Sequence, residues 1–281
     1  MMKLIRTAAL AVALAGCTST PRPDPIPAGA KYVAMGSSFA AGPGIPSYFE
    51  DPPAPCARST GNYAHQLASR KGLTLIDVSC SGATTAHLTG PRDAIPPQLD
   101  ALTSDTRLVT ITIGGNDLSY IGRLTAASCA GLAEQTGTPG KCSPVPPTPN
   151  DASYAALTRQ MDAIAKEVRR RAPSARLVFV DYLTILPATG GCAATPLKAE
   201  EADADREIAS VLAAITARAA ADNGADLLKA SELSAQHDAC SANPWINGYP
   251  RPEAPVAGTL YHPNAKGMTA IADALEKLLR E

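Results

Sequence analysis

Residues 107–117 read Arg107-Leu108-Val109-Thr110-Ile111-Thr112-Ile113-Gly114-Gly115-Asn116-Asp117. Residues 107–113 form a short apolar run rich in β-branched side chains, the composition of a strand buried on both faces. Gly114-Gly115 ends it and hands the chain to a polar pair, Asn116-Asp117. Comparable runs lie on either side, at 31–36 and 73–78 upstream and at 176–181 and 225–229 downstream. Helical patterns fall between them. Residues 63–70 place Ala64, Leu67 and Ala68 on one face. Residues 151–171, with Asn150 or Asp151 as cap, carry Ala156, Met161, Ile164 and Val168 near helical spacing, and Pro173 closes them. Arg169, Arg170 and Arg171 in the last turn read as favourable charge at a helix C-terminus. Residues 197–223 are Ala-rich and stop at Asn223-Gly224, and 264–279 set Met268, Ile271, Leu275 and Leu278 on one side. Strands alternating with helices predict an α/β fold in three layers, an approximately five-stranded parallel sheet with helices on both faces. Right-handed crossovers gather all strand C-termini on one edge, where ligand sites of open α/β sheets form. Segments 43–60, 128–149, 190–196 and 241–258 read as long loops.

The composition narrows the function. The 281 residues suit one large domain, and 25 Lys+Arg against 26 Asp+Glu leave a net charge of -1, which disfavours nucleic acid as a partner. Hydrophobic residues at 45% and charged ones at 18% exclude a disordered chain. No apolar run reaches the roughly 20 residues of a membrane span. Aromatics at 4% leave the core to Ala, Leu, Ile and Val.

The N-terminus carries Lys3 and Arg6, then an apolar stretch over 8–16, the layout of a secretory signal. It ends Leu14-Ala15-Gly16-Cys17, which resembles a bacterial lipobox. The expectation is a signal peptide over 1–16, acylation of Cys17, and a cell-envelope lipoprotein held at the membrane by several acyl chains, since one chain alone anchors marginally. Thr18 in place of Asp leans toward the outer membrane. Residues 18–29, with Pro21, Pro23, Pro25 and Pro27, read as an extended tether, and one folded domain is expected over 30–281. Six further cysteines, Cys56, Cys80, Cys129, Cys142, Cys192 and Cys240, suit disulfides in an exported chain. Spacing does not fix connectivity. The simplest arrangement pairs neighbours, Cys56–Cys80, Cys129–Cys142 and Cys192–Cys240. No C-x-x-C occurs, and no metal or cofactor is expected.

Four segments sit at strand ends on the expected active edge or open a helix: Gly36-Ser37-Ser38 after the first strand, Cys80-Ser81-Gly82 after the second, Gly114-Gly115-Asn116-Asp117 after the third, and Tyr261-His262-Pro263-Asn264 before the last helix. In this order, over residues 31–280, they resemble the SGNH hydrolases, or GDSL esterases and lipases, whose hallmark Ser, Gly, Asn and His match Ser38, Gly82, Asn116 and His262. Within that family the chain looks like the secreted branch with three disulfides around a flavodoxin-like fold. The resemblance implies a serine esterase or lipase. Ser38 would be the nucleophile and His262 its base. The N–H groups of Ser38 and Gly82 and the Asn116 amide would meet the oxyanion.

Two positions depart from the family pattern. Ser37 stands where Asp usually precedes the nucleophile, and Thr259 stands where an Asp often completes a triad with the histidine. The resemblance then implies a Ser–His dyad with the Thr259 carbonyl orienting the imidazole. Asp117 reads as a cap or loop brace and Asp181 as a weak alternative orienter. His65, His87 and His237 read as solvated or capping residues, while Trp245 and Tyr261 suit either the acyl pocket or loop packing. The expected partner is an ester substrate, whether a lipid, an acylated saccharide or a small ester, and a monomer is the expected state. An acyltransferase using the same site, and a non-catalytic envelope-binding lipoprotein on a degenerate scaffold, are the alternatives.

Overall fold

The structure, a computed structural model, describes residues 25–47, 55–137, 140–250 and 258–280. The expected signal segment, Cys17 and most of the expected tether lie outside these. Five parallel strands build one sheet: β1 (Lys31–Gly36), β2 (Thr74–Asp77), β3 (Thr106–Thr112), β4 (Arg176–Val180) and β5 (Asp226–Leu228), in the order β2-β1-β3-β4-β5. The central strands are apolar because helices cover both sides. Val33, Ala34, Leu108, Val109, Val178 and Phe179 are wholly buried.

The connecting helices are α1 (Ser38–Ala41), α2 (Tyr63–Lys71), α3 (Ala86–Thr89), α4 (Tyr120–Thr136), α5 (Asp151–Arg171), α6 (Ala199–Asp222), α7 (Ala230–Leu233) and α8 (Ala265–Leu278). Helix α2 packs on α8, while α5 packs on α6, which also meets α4. Start signals sit where local chemistry puts them. The side chains of Asn62, Asn150 and Asn264 accept N–H bonds from His65, Ser153 and Gly267, capping α2, α5 and α8. Glu167 takes both Arg170 and Arg171 into ion pairs on their own helix, and Arg171 also reaches Asp100.

From β1 the chain winds outward to β2, then returns to β3 on the other side of β1. This reversal opens a crevice above the C-terminal ends of β1 and β3, the switch point where such sheets bind ligands.

One expected loop is corrected. The expected loop over 128–149 holds only for its later part, 140–149, because α4 runs from Tyr120 to Thr136. Its sequence hides it. Ser119, at the N-cap, has φ 52 and gives no side-chain cap. Its buried face mixes Tyr120, Arg123 and Leu124 with the small residues Ala126, Ala127, Ser128 and Gly131, and carries no leucine stripe. A Cβ on Gly131 would lie 2.0 Å from the Pro196 carbonyl oxygen, so this glycine is set by close packing against a neighbouring loop.

Disulfides join Cys56 to Cys80, Cys129 to Cys142, and Cys192 to Cys240, the neighbour arrangement. At the other edge of the sheet, the end of the expected tether already lies against the domain. Ile26 packs on the core, and the Gly29 N–H bonds the Gly72 carbonyl at 2.7 Å.

Candidate active site

β1 ends at Gly36, whose φ is 138. A Cβ there would lie 2.3 Å from the Thr112 carbonyl oxygen, so only glycine lets the ends of β1 and β3 come together. Ser37 then caps α1 in an extended conformation, and Ser38 is the first helical residue. Its side chain emerges into the crevice and remains 7% exposed.

His262 is delivered by the segment before α8. Residues 245–247 clamp this segment from the side. The Asn247 N–H bonds the His262 carbonyl, the Tyr261 N–H bonds the Asn247 carbonyl, and the Asn264 N–H bonds the Trp245 carbonyl, at 2.9, 3.1 and 2.9 Å. The imidazole Nε2 lies 2.7 Å from Ser38 Oγ. Its Nδ1 lies 2.6 Å from the Leu260 carbonyl oxygen. That contact assigns the proton: a carbonyl only accepts, so Nδ1 carries the hydrogen and Nε2 presents its lone pair to the serine. Burial pushes the His262 pKa below the ordinary imidazole value, and the Leu260 carbonyl opposes this only in part.

The orienting carbonyl is therefore Leu260, and Thr259 is corrected. Tyr261 has φ 54, a left-handed residue between Leu260 and His262 that turns the Leu260 carbonyl back to the ring. The Thr259 carbonyl is engaged elsewhere, accepting from Asn247 Nδ2 at 3.0 Å and from the His262 backbone N–H at 3.4 Å. Any residue offers a carbonyl, so no side-chain signal singles out Leu260 in the sequence.

Neither aspartate reaches the imidazole. Asp117 accepts from the Thr85 N–H at 3.1 Å and from the Thr85 hydroxyl, bracing the loop after β3 against α3. Asp181 accepts from the Ser231 N–H and hydroxyl at 2.8 and 2.6 Å. Burial raises both carboxyl pKa values against these hydrogen bonds.

The other two hallmark positions face the same crevice. Gly82 has φ 81, a conformation that suits glycine. Its loop is tied down by the Cys56–Cys80 bridge and by N–H bonds from Cys80 to the Gly36 carbonyl and from Ser81 to the Cys56 carbonyl. Asn116 Nδ2 donates to the Ala83 carbonyl at 2.8 Å, which fixes which end of the amide bears the hydrogens and leaves one of them uncommitted. Among the described residues, the backbone N–H groups of Ser38 and Gly82 have no hydrogen-bond acceptor within the chain.

A cleft of about 720 Å³ opens from this point, and Ser38, Gly82, Asn116, Thr259 and His262 line its base. Its walls were not foreseen in the sequence. They come from Ile121, Gly122 and Ala126 of α4, from the Cys129–Cys142 bridge, and from Pro144, Pro146 and Tyr249. Among the described residues, the cleft lining holds no carboxylate and one cation, Lys141. Trp245 is instead stacked on His237 with ring centroids 3.8 Å apart, and Tyr261 is buried with its hydroxyl on Ser128. His87 Nδ1 accepts from the Thr84 N–H, a local loop contact. Among the described residues no cluster of His, Cys, Asp and Glu has the makings of a metal site.

Residues 34–270 match the model of the GDSL-like lipase/acylhydrolase family. The chain is 37% identical to lipase 2 of Streptomyces coelicolor over 277 residues, 94% of this chain and 90% of the relative. Two crystal structures have the same architecture. The extracellular lipase of Streptomyces rimosus is 30% identical with a TM-score of 0.67, covering 88% of this chain and 99% of its own. Phospholipase A1 of Streptomyces albidoflavus is 26% identical with a TM-score of 0.71, covering 89% and 99%.

Proposed function

This chain belongs to the GDSL-like lipase/acylhydrolase family and is a carboxylic ester hydrolase, and we propose that Ser38 is its nucleophile and His262 its general base. The observation that carries the assignment is the 2.7 Å contact between Ser38 Oγ and His262 Nε2, with Nδ1 held on a carbonyl. A serine hydroxyl attacks only when a base removes its proton. A histidine kept neutral by burial, with its lone pair aimed at the hydroxyl, is ready to do so. As Oγ bonds the ester carbonyl carbon, the proton passes to Nε2 and the carbonyl oxygen becomes an oxyanion. The Ser38 and Gly82 N–H groups and the uncommitted Asn116 hydrogen receive it. The imidazolium returns its proton to the leaving alcohol, and water repeats the sequence on the acyl-enzyme.

The substrate we propose is an ester with an apolar acyl chain. The cleft walls of Ile121, Ala126, Pro144, Pro146 and the disulfide support this, as do relatives named lipases. Three disulfides fit an exported protein. We propose further that Cys17 is acylated, on the strength of the Leu14–Cys17 sequence.

The test is hydrolysis of p-nitrophenyl butyrate together with labelling by a fluorophosphonate. Wild type should hydrolyse the ester and take up the label. Ser38→Ala should lose both, and His262→Ala should lose nearly all hydrolysis. A folded Ser38→Ala variant that still labels would remove Ser38 from the role.

A further inference from the structure

Tyr182 lies just beyond β4, beneath the crevice, and touches the chain on both sides of the proposed site. Its buried hydroxyl accepts the Gly115 N–H at 2.9 Å and lies 3.1 Å from Ser37 Oγ. Gly115 and Ser37 are the chain neighbours of Asn116 and Ser38. Either hydroxyl can donate in the Ser37 contact, since a phenol oxygen that accepts from Gly115 can accept a second bond. Burial pushes the Tyr182 pKa up to about 12, so the hydroxyl keeps its hydrogen at any working pH.

The ring is fitted as closely as the hydroxyl. Its centroid is 4.4 Å from that of Phe39, and Phe39 in turn lies 5.2 Å from the His262 ring. A Cβ on Gly115 would sit 2.8 Å from Tyr182 ring atoms, so the glycine leaves the space that the tyrosine fills. The segment it holds is also tied by the Tyr120 N–H to the Gly115 carbonyl at 2.9 Å, by the Ser119 N–H to the Asn116 carbonyl at 3.1 Å and by Asp117 to Thr85, so what Tyr182 adds is the link to the turn after β1. Gly114, with φ 109, and Gly115 bring no side chain of their own to this turn. Asn116 itself has a single side-chain tether, to the Ala83 carbonyl.

We propose that Tyr182 is a positioning residue for the esterase reaction: its hydroxyl fixes the turn after β1 against the turn after β3, so that the Asn116 amide stands where the oxyanion forms. This rests on the reading of Ser38 and Asn116 above. Oxyanion donors act only within about 2.7–3.1 Å of the charge. A rotation of the Gly115–Asn116 peptide that leaves the fold intact is enough to lose that distance.

A double-mutant cycle separates positioning from plain structural support. The measurements are kcat and KM for p-nitrophenyl butyrate in wild type, Tyr182→Phe, Asn116→Ala and the double variant, each checked by circular dichroism and thermal melting. Asn116→Ala should lower kcat by roughly 100-fold or more, as loss of one oxyanion donor does. Tyr182→Phe keeps the ring and should lower kcat about tenfold, with KM within about twofold, because the donor matters mainly in the transition state. The double variant should be no slower than Asn116→Ala alone, since Tyr182 acts through the group already removed. Ser37→Ala leaves the tyrosine and the Gly115 bond in place, so it covers the case in which Tyr182→Phe folds poorly. It should give a smaller kcat loss that also vanishes in the Asn116→Ala background. Losses that multiply, or a Tyr182→Phe effect confined to KM, would overturn the Tyr182 inference alone. Wild-type kcat in Asn116→Ala would overturn the Asn116 assignment, and the inference with it.

Discussion

Arg123 and Asp205 tie α4 to α6 through a buried ion pair, and Arg123→Met tests what that pair does for the fold. Arg123 Nε lies 2.9 Å from Asp205 Oδ1, with side chains 6% and 0% exposed. Another Arg123 nitrogen bonds the Pro146 carbonyl, so the same guanidinium holds a wall of the cleft. Among the described residues Asp205 Oδ2 has no hydrogen-bond partner, so the arginine is the main compensation for a wholly buried carboxylate. Removing one partner of a buried pair costs about 3–5 kcal/mol, because the remaining charge is stranded. For a domain of this size each kcal/mol lowers Tm by about 2–4 °C, so the variant should melt about 10 °C below wild type at pH 7. Burial already holds the Asp205 pKa above the ordinary carboxylate value, with Arg123 opposing. In the variant that opposition is gone and the pKa rises further. A carboxyl whose folded pKa exceeds its unfolded one binds more protons when folded. The deficit is therefore complete above the folded pKa and shrinks as pH falls toward the unfolded value. Melting followed by circular dichroism from pH 7 to pH 5 should show the gap narrowing, and Arg123→Met/Asp205→Leu should recover most of it. A loss below about 2 °C at pH 7, or a gap that stays constant down to pH 5, would refute the reasoning.

Other outcomes follow from the same geometry. Because burial lowers the His262 pKa, the acidic limb of kcat/KM should fall below pH 6.5, and Asp117→Asn and Asp181→Asn should leave it in place; a limb above 7, or a folded aspartate variant that is catalytically dead, would mean a carboxylate does reach the ring. Paired Cys129→Ser and Cys142→Ser changes open a link spanning 13 residues, for about 3 kcal/mol in the chain-entropy model. They should also change the ratio of p-nitrophenyl butyrate to palmitate hydrolysis, because both sulfurs line the cleft. Cys17→Ser should move the protein out of the membrane fraction, and unchanged fractionation with no acyl label on wild type would remove the anchor.

The legible parts of the sequence were those whose cause is local. The run 31–36 coincides with β1, since its apolar residues and terminal Gly36 belong to the strand itself. Asn150 announces α5 because a cap lies next to the helix it starts. Ser38, Gly82, Asn116 and His262 line one cleft because each follows or precedes an element whose direction the crossovers fix. What stayed hidden depends on distant partners. Helix α4 draws its stability from burial against α6 and the loop at Pro196 rather than from a cap or a leucine stripe, and with it went the walls of the cleft. Tyr182 shows no motif at all, since its meaning comes from Gly115 and Ser37, 67 and 145 residues away.

The same distinction explains how the proposed site works without an acid. Positions 37 and 259 lack the aspartates that the family resemblance leads one to expect, and the two nearby carboxylates are bound to Thr85 and Ser231. On the proposed mechanism, proton transfer therefore creates an imidazolium faced by the Leu260 carbonyl, in a cleft that holds no carboxylate among its described lining residues. A carbonyl dipole holds the tautomer and stabilises positive charge less than a carboxylate does. The compensating charge is the oxyanion itself, formed in the same step beside the same serine. In a low-dielectric cleft that pairing is strong, but only while both charges are held close and the oxyanion is not free to turn away. The fixed donors at Ser38, Gly82 and Asn116 do that holding. On this proposal the site places more of its catalysis on the oxyanion loops than a triad would, and the bridge at Cys56–Cys80, the brace at Asp117 and the hydroxyl of Tyr182 hold those loops as the 245–247 clamp holds the histidine.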